Sequence, residues 1–188
     1  AGYPVRNHSI GGSNDPIRRH FIKERVYDLI PAVVFYMSST NDWTSGQSKE
    51  EIMAYKQEMF DEMAETLPNT VFVILSATPN PLRYFGEYHD GMVEVDNWTK
   101  NYCENKDRFE FLNVVPPLSQ NDGAEPNPDI WQSDRLHLNA EGYEILAELV
   151  RKELDDIVQN YGVTFAAAEE IPDDGEEQRL GWTAEWTV

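Results

Sequence analysis

The sequence predicts an α/β fold of three layers, in which a parallel β-sheet is covered by helices on both faces. Three observations predict it. Short, nearly continuous apolar runs, such as residues 32–37 and 71–75, alternate with longer amphipathic segments. Strands buried on both faces read as such runs, whereas strands with one wet face alternate apolar and polar residues. With 188 residues, 40% hydrophobic and 12% aromatic, the chain has the length and apolar content for one domain with a real core.

The elements follow in order. Residues 3–10 read as a first, modest strand. Asp15 followed by Pro16 reads as an N-cap with proline at the first helical position, opening a helix to about residue 28 that ends before Pro31. Residues 32–37 form a buried strand. Ser48 and Glu51 make a capping box. Behind it Ile52, Tyr55, Met59, Phe60, Met63 and Leu67 recur at helical spacing. Pro68 and Asn69 break that helix, and residues 71–75 are the next strand. Residues 91–102 read as a helix with Met92, Val95, Trp98 and Tyr102 on one side. Residues 109–115 are a strand closed by Pro116 and Pro117. Asn139 caps a last helix carrying Tyr143, Leu146, Leu149, Val150, Leu154 and Ile157. The domain therefore spans residues 1–160. Residues 161–188 read as an acidic tail or linker, or as a segment whose Trp182 and Trp186 fold back.

Fifteen basic against 34 acidic residues give a net charge of −19. That balance argues against nucleic acid, which is bound through Lys and Arg displacing counterions from phosphates. It argues equally against an anionic membrane surface, and reads most simply as a solubility surface. A single cysteine, Cys103, excludes an internal disulfide framework and leaves the compartment open, cytoplasmic or secreted. No run is long enough to span a bilayer, and no signal-peptide pattern is present. Ala1 is not a start methionine, so the N-terminus of the gene product is expected upstream.

Three loops at the carboxyl ends of strands carry chemistry, where open parallel sheets place their sites. In Ser9-Ile-Gly-Gly-Ser13, glycine lets backbone approach a ligand, and the following helix start favours negative charge. Two glycines also serve simply to make a turn. In Ser39-Thr-Asn-Asp42, the Asn41 amide can be aimed at an oxyanion, or can close an Asx-turn on its own backbone. In Asp134-Arg-Leu-His137, the carboxylate can reach one ring nitrogen, fix the tautomer and leave the other nitrogen as a base. The plainer alternative is a surface aspartate beside a helix-flanking histidine. His8, in a strand, and His20, in a helix, read as structural; His89 is expected in a loop within reach of substrate. No His/Cys cluster has metal-ligand spacing, and no cofactor is called for.

Taken in order, Asn7 to Gly12, Asn41-Asp42 and Asp134-x-x-His137-Leu-Asn139 resemble the SGNH hydrolases, the GDSL-type lipases and acylhydrolases. The resemblance runs over roughly residues 3–154. It implies a parallel, flavodoxin-like sheet and a serine-type ester hydrolase acting on a small-molecule ester. It implies that Gly12 (backbone N–H) and Asn41 (side-chain amide) are oxyanion donors, His137 the general base and Asp134 its orienter.

Two positions depart from the family pattern. Ser39 stands where a glycine is usual, and no Gly-Asp-Ser nucleophile block occurs anywhere in the chain. The block belongs to the first strand of the family's sheet, so that strand is expected to be missing and the nucleophile to lie upstream. Ser13 and Ser39 are weak substitutes for it. Trp43, Tyr84, Phe85 and Trp131 wall the substrate pocket or else anchor their loops, and Arg83 meets an acidic group or stays solvated. The competing readings are a non-catalytic SGNH-like binding or scaffold domain that has lost its nucleophile, and a flavodoxin-like phosphate binder using Gly11-Gly12.

Overall fold

The computed structural model describes residues 3, 5–82, 87–121 and 125–165. The chain divides into two units, residues 8–163 and a smaller one made of residues 1–7 and those from 164 onward. In the smaller unit the rings of Tyr3 and Phe165 lie 5.1 Å apart.

The larger unit contains all the described helices and strands. Its sheet has three parallel strands in the order β1 (Val33–Met37), β2 (Val71–Leu75), β3 (Phe109–Leu112). Val33 pairs with Val71 and Phe72 with Phe109, so the strands run in step and their carboxyl ends lie together. Five helices flank the strands in sequence: α1 (Asp15–Arg25), α2 (Thr40–Thr44), α3 (Lys49–Thr66), α4 (Glu87–Glu104) and α5 (Ala140–Tyr161). A short antiparallel ribbon, β4 (Ser119–Gln120) with β5 (Glu125–Pro126), follows β3.

Side-chain alternation sorts the strands into two cores. Tyr36, Phe72 and Ile74 face α1, α3 and α4, packing with Ile22, Met59, Phe60, Met63 and Cys103. Val71, Val73 and Leu75 face the other way, against Leu138, Ile130 and Ile157 of the α5 layer. All five residues of β2 are buried, as a central parallel strand requires. This is the predicted three-layer α/β/α arrangement.

Several local expectations are corrected. Residues 5–10 form no strand, and Asn7 is exposed. A strand exists only by hydrogen bonding to a neighbour, and among the described residues β1 is the sheet edge, with no strand beyond it. The N-cap of α1 is Asn14, whose side chain accepts from Ile17 N, and Asp15 is the first helical residue. The last turn of that segment tightens into a 3-10 turn at Tyr27–Leu29. Tyr55 is exposed, and Lys56 takes a buried place on α3. His89 lies on α4, its Nδ1 3.2 Å from Asp90 Oδ1, not in a loop. The capping box of Ser48 with Glu51 and the Asn139 cap are as expected.

Candidate active site

The Asp134–His137 loop joins the 3-10 turn Pro128–Ile130 to α5. It is pinned on both sides: Gln132 N donates to His137 O at 2.8 Å, and Asn139 N to Ile130 O at 2.9 Å. Within it, Asp134 Oδ1 accepts from the backbone N–H groups of Leu136 (2.9 Å) and His137 (3.0 Å). The other carboxylate oxygen, Oδ2, lies 2.6 Å from His137 Nδ1. The histidine first, then the two backbone donors, hold the Asp134 carboxyl down at about 2. Asp134 therefore stays ionised and can hold the Nδ1–H tautomer, leaving Nε2 with its lone pair. His137 is 60% exposed, so Nε2 is accessible.

The second constellation joins the loop before α1 to the loop after β1. Gly12 has φ +71°, a left-handed conformation that glycine adopts without penalty, and an added Cβ would meet nothing within 4 Å. Asn41, in the first turn of α2, donates its amide to Ser13 O at 3.2 Å. Arg18 Nη2 donates to the same carbonyl at 2.7 Å. Ser39 has φ +90°, which explains why a glycine is the easier residue there. Its backbone N–H donates to Asp42 Oδ2 at 3.1 Å, which fixes the unusual conformation. Asp42 Oδ1 in turn accepts from Asp15 N at 2.6 Å.

Behind these loops lies a buried charged cluster that sequence reading missed. Asp15, Asp42 and Lys56 are each 1% exposed or less. Arg18 Nη1 lies 3.1 Å from Asp15 and 3.6 Å from Asp42. Tyr36 donates its hydroxyl to Asp15, and Lys56 Nζ donates to Ser38 Oγ at 2.5 Å. Two carboxylates and two cations balance one another, as buried charges must. Burial, and then the negative charge of Asp15, push the Asp42 carboxyl up. Burial likewise drives the Tyr36 phenol well above its ordinary range. The available signal was Lys56, a charged residue four after Ile52 and four before Phe60 on an otherwise apolar stripe.

The serines within these loops are enclosed. Ser13 is 2% exposed and donates its hydroxyl to Ile10 O at 2.7 Å, and Ser39 is 1% exposed. Cys103 is buried in the core, which pushes its thiol up to about 12. Among the described residues, no hydrogen bond links Asp134 or His137 to Gly12 or Asn41, and no group of three or more His, Cys, Asp or Glu is placed to hold a metal.

Of the expected wall residues, Trp43 packs edge-on to Tyr88 with centroids 5.8 Å apart and lies against Gly91, an anchoring role. Trp131 is buried and bridges to Leu138. Arg83, Tyr84, Phe85, Trp182 and Trp186 lie outside the described residues. No described helix is long and apolar enough to cross a membrane.

Comparisons with known proteins place the fold. The chain is similar in structure to a GDSL-like lipase from Bacteroides thetaiotaomicron (19% identity, TM-score 0.62, covering 77% of this chain and 72% of that one). It is similar to a carbohydrate esterase family 3 protein from Talaromyces cellulolyticus (16%, TM-score 0.65, 79% and 70%). A family 3 carbohydrate esterase from Clostridium thermocellum is comparable (17%, TM-score 0.61, 79% and 68%). At these identities the likeness shows the shared fold. No curated protein sequence matches. The model of the GDSL-like lipase/acylhydrolase family matches residues 1–145, more than three-quarters of the chain. The chain belongs to the GDSL-like lipase/acylhydrolase family and is by that membership an enzyme of the esterase type.

Proposed function

We propose that this chain carries the base and oxyanion halves of a serine-type ester hydrolase for small acyl or carbohydrate esters. The nucleophilic serine belongs to a segment outside these 188 residues that lies along the free edge of β1. The observation that carries the reading is the 2.6 Å contact between Asp134 Oδ2 and His137 Nδ1, with His137 otherwise accessible. The absence of a Gly-Asp-Ser block and the enclosure of Ser13 and Ser39 support an external nucleophile.

In this reading the serine hydroxyl attacks the ester carbonyl while His137 Nε2 takes its proton. Gly12 N–H and the Asn41 amide stabilise the resulting oxyanion. The same proton passes to the departing alcohol as the C–O bond breaks. Water, deprotonated by His137, then releases the acid and restores the serine. Asp134 stays ionised throughout and stabilises the imidazolium.

Fluorophosphonate labelling with intact-mass readout tests this. The 188-residue chain alone should take no adduct. A version extended at its N-terminus by a relative's Gly-Asp-Ser strand should take one adduct, turn over p-nitrophenyl acetate and lose turnover in His137→Ala. An adduct at Ser13 or Ser39 of the unextended chain would overturn the external nucleophile. An extended chain inert to both reagents would replace the enzyme with a binding module.

A further inference from the structure

Arg135 stands between Asp134 and His137 with its backbone in the left-handed region, at φ +59°. Glycine adopts that conformation freely, whereas a residue with a Cβ is strained in it. Such strain persists only where the surroundings over-determine it. Three hydrogen bonds do so here. Arg135 N donates to Gln132 O at 2.9 Å and closes the turn. Arg135 O accepts from Leu82 N at 3.1 Å, and the guanidinium Nη2 donates to Pro81 O at 3.1 Å. The first bond lies within the His137 loop. The other two cross to the loop that follows β2.

That second loop is itself anchored. Ser76, Ala77 and Asn80 are buried. Pro79 and Pro81 fix their own φ. Ala77 N donates to both carboxylate oxygens of Asp96 on α4, at 3.2 Å each. Ser76 Oγ accepts from Val114 N at 2.9 Å. Asn80 N donates to Thr78 O at 2.8 Å. The loop is thus tied to α4 and to the residues after β3 before it meets Arg135.

The contact that Arg135 flanks is exposed. Asp134 and His137 both face solvent, and an exposed pair gains little unless its partners are held in one geometry. A glycine would make the turn without strain but bring no donor for Pro81 O. A strained arginine therefore fits a need for the bond between the loops, not for the turn alone.

We propose that Arg135 is a positioning residue for the Asp134–His137 pair. Its guanidinium clamps the turn to Pro81, and the clamp keeps the carboxylate against His137 Nδ1. That the clamp serves catalysis rests on the esterase reading; that it holds the pair does not.

The test reads the tautomer of His137 in the ¹⁵N-labelled 188-residue chain, from the Nδ1 and Nε2 chemical shifts at pH 8, with the four histidines assigned through bonds. An exposed neutral imidazole in water favours the Nε2–H form, so loosening of the pair shows as a gain of that form. Arg135→Ala and Arg135→Gly should each move the ratio toward Nε2–H by about 5-fold, the loss of about one hydrogen bond. Arg135→Lys, whose ammonium can still donate to Pro81 O, should stay within about 2-fold of the parent. The glycine variant relieves the backbone, so the test does not depend on a protein that fails to fold. It also separates the two roles, because a residue that only shapes the turn is replaced by glycine without loss. An unchanged ratio in both the alanine and glycine variants overturns the clamp, as does a lysine variant that moves as far as alanine. A parent His137 that is not in the Nδ1–H form overturns the pair, and with it both the clamp and the base. A ratio that responds as expected, in a chain whose N-terminally extended version takes no fluorophosphonate, leaves the clamp standing and removes the esterase reading.

Discussion

The Asn41 side-chain amide donates to the carbonyl of Ser13 at 3.2 Å, tying the loop after β1 to the loop before α1. Gly12 directly precedes Ser13, so this bond ties the Asn41 side chain to the residue next to the other expected oxyanion donor. Ser13 O keeps a second donor, Arg18 at 2.7 Å, if the amide is lost. Asn41→Ala in a catalytically complete, N-terminally extended version should therefore lower kcat by about 10²–10³ with little change in KM. Its urea midpoint should stay close to the parent's. Steady-state kinetics beside urea unfolding checks this, and a large loss of stability would mean that Asn41 is structural.

Asp42 is the stronger structural bond between the same loops. It is fully buried, accepts from Asp15 N and Ser39 N, and faces Arg18. Asp42→Ala leaves two backbone donors and an Arg18 charge short of a partner. Removing one member of a buried charged group costs about 3–5 kcal/mol. Asp42→Asn keeps an acceptor oxygen and should cost less. Equilibrium urea unfolding of the two variants reads the difference directly.

Gly142, in the first turn of α5, sits where an added Cβ would lie 2.5 Å from Ile130 O and 2.8 Å from Leu138 Cδ2. The nearest atom is backbone, so it cannot swing aside. Gly142→Ala should destabilise by about 1–3 kcal/mol through overpacking and displace the loop bearing His137. Thermal unfolding gives the first effect. A shift of the His137 imidazole resonances gives the second.

Asp96 on α4 accepts from Ala77 N at 3.2 Å, yet loss of hydration pushes its carboxyl up to about 7. A carboxyl that binds its proton more tightly when folded favours the folded state at low pH. That contribution is fully present below its unfolded value near 4 and fades as pH rises through 7. Asp96→Asn retains an acceptor for Ala77 N and removes the ionisation. It should leave stability at pH 4 nearly unchanged and raise it at pH 8, by roughly 1–3 kcal/mol after allowing for the partial exposure of the group. Urea midpoints across this range should show the slope in the parent and its loss in the variant.

The layers and the site loops were legible because they depend on local rules. Continuous apolar runs marked β1 and β2, and the Ser48 and Asn139 caps marked α3 and α5. Asp134 and His137 are three residues apart in one turn, so their meeting needed no tertiary information. Residues 5–10 misled because strand character is only permission to pair, and pairing requires a neighbour that the sequence of the segment does not contain. The Asp15, Arg18, Tyr36, Asp42 and Lys56 cluster was illegible for the opposite reason. Its members come from four elements, and only their shared burial makes them one group. Ser39 lay between the two cases: its departure from glycine was visible, but the side chain of Asp42 that makes it tolerable was not.

The edge position of β1 bears on how the protein behaves in concentrated solution. Among the described residues β1 is a parallel edge strand with Met37 45% exposed, and where the segment proposed to carry the serine is not paired there, it is a template on which a second copy of this chain can stack. At low ionic strength, 34 acidic side chains against 15 basic ones keep copies apart. At 0.1 M salt that repulsion is largely screened beyond about 10 Å. The colloid is thus held by charge rather than by shape, and light scattering should rise with added salt and fall again when a strand-forming peptide occupies the edge.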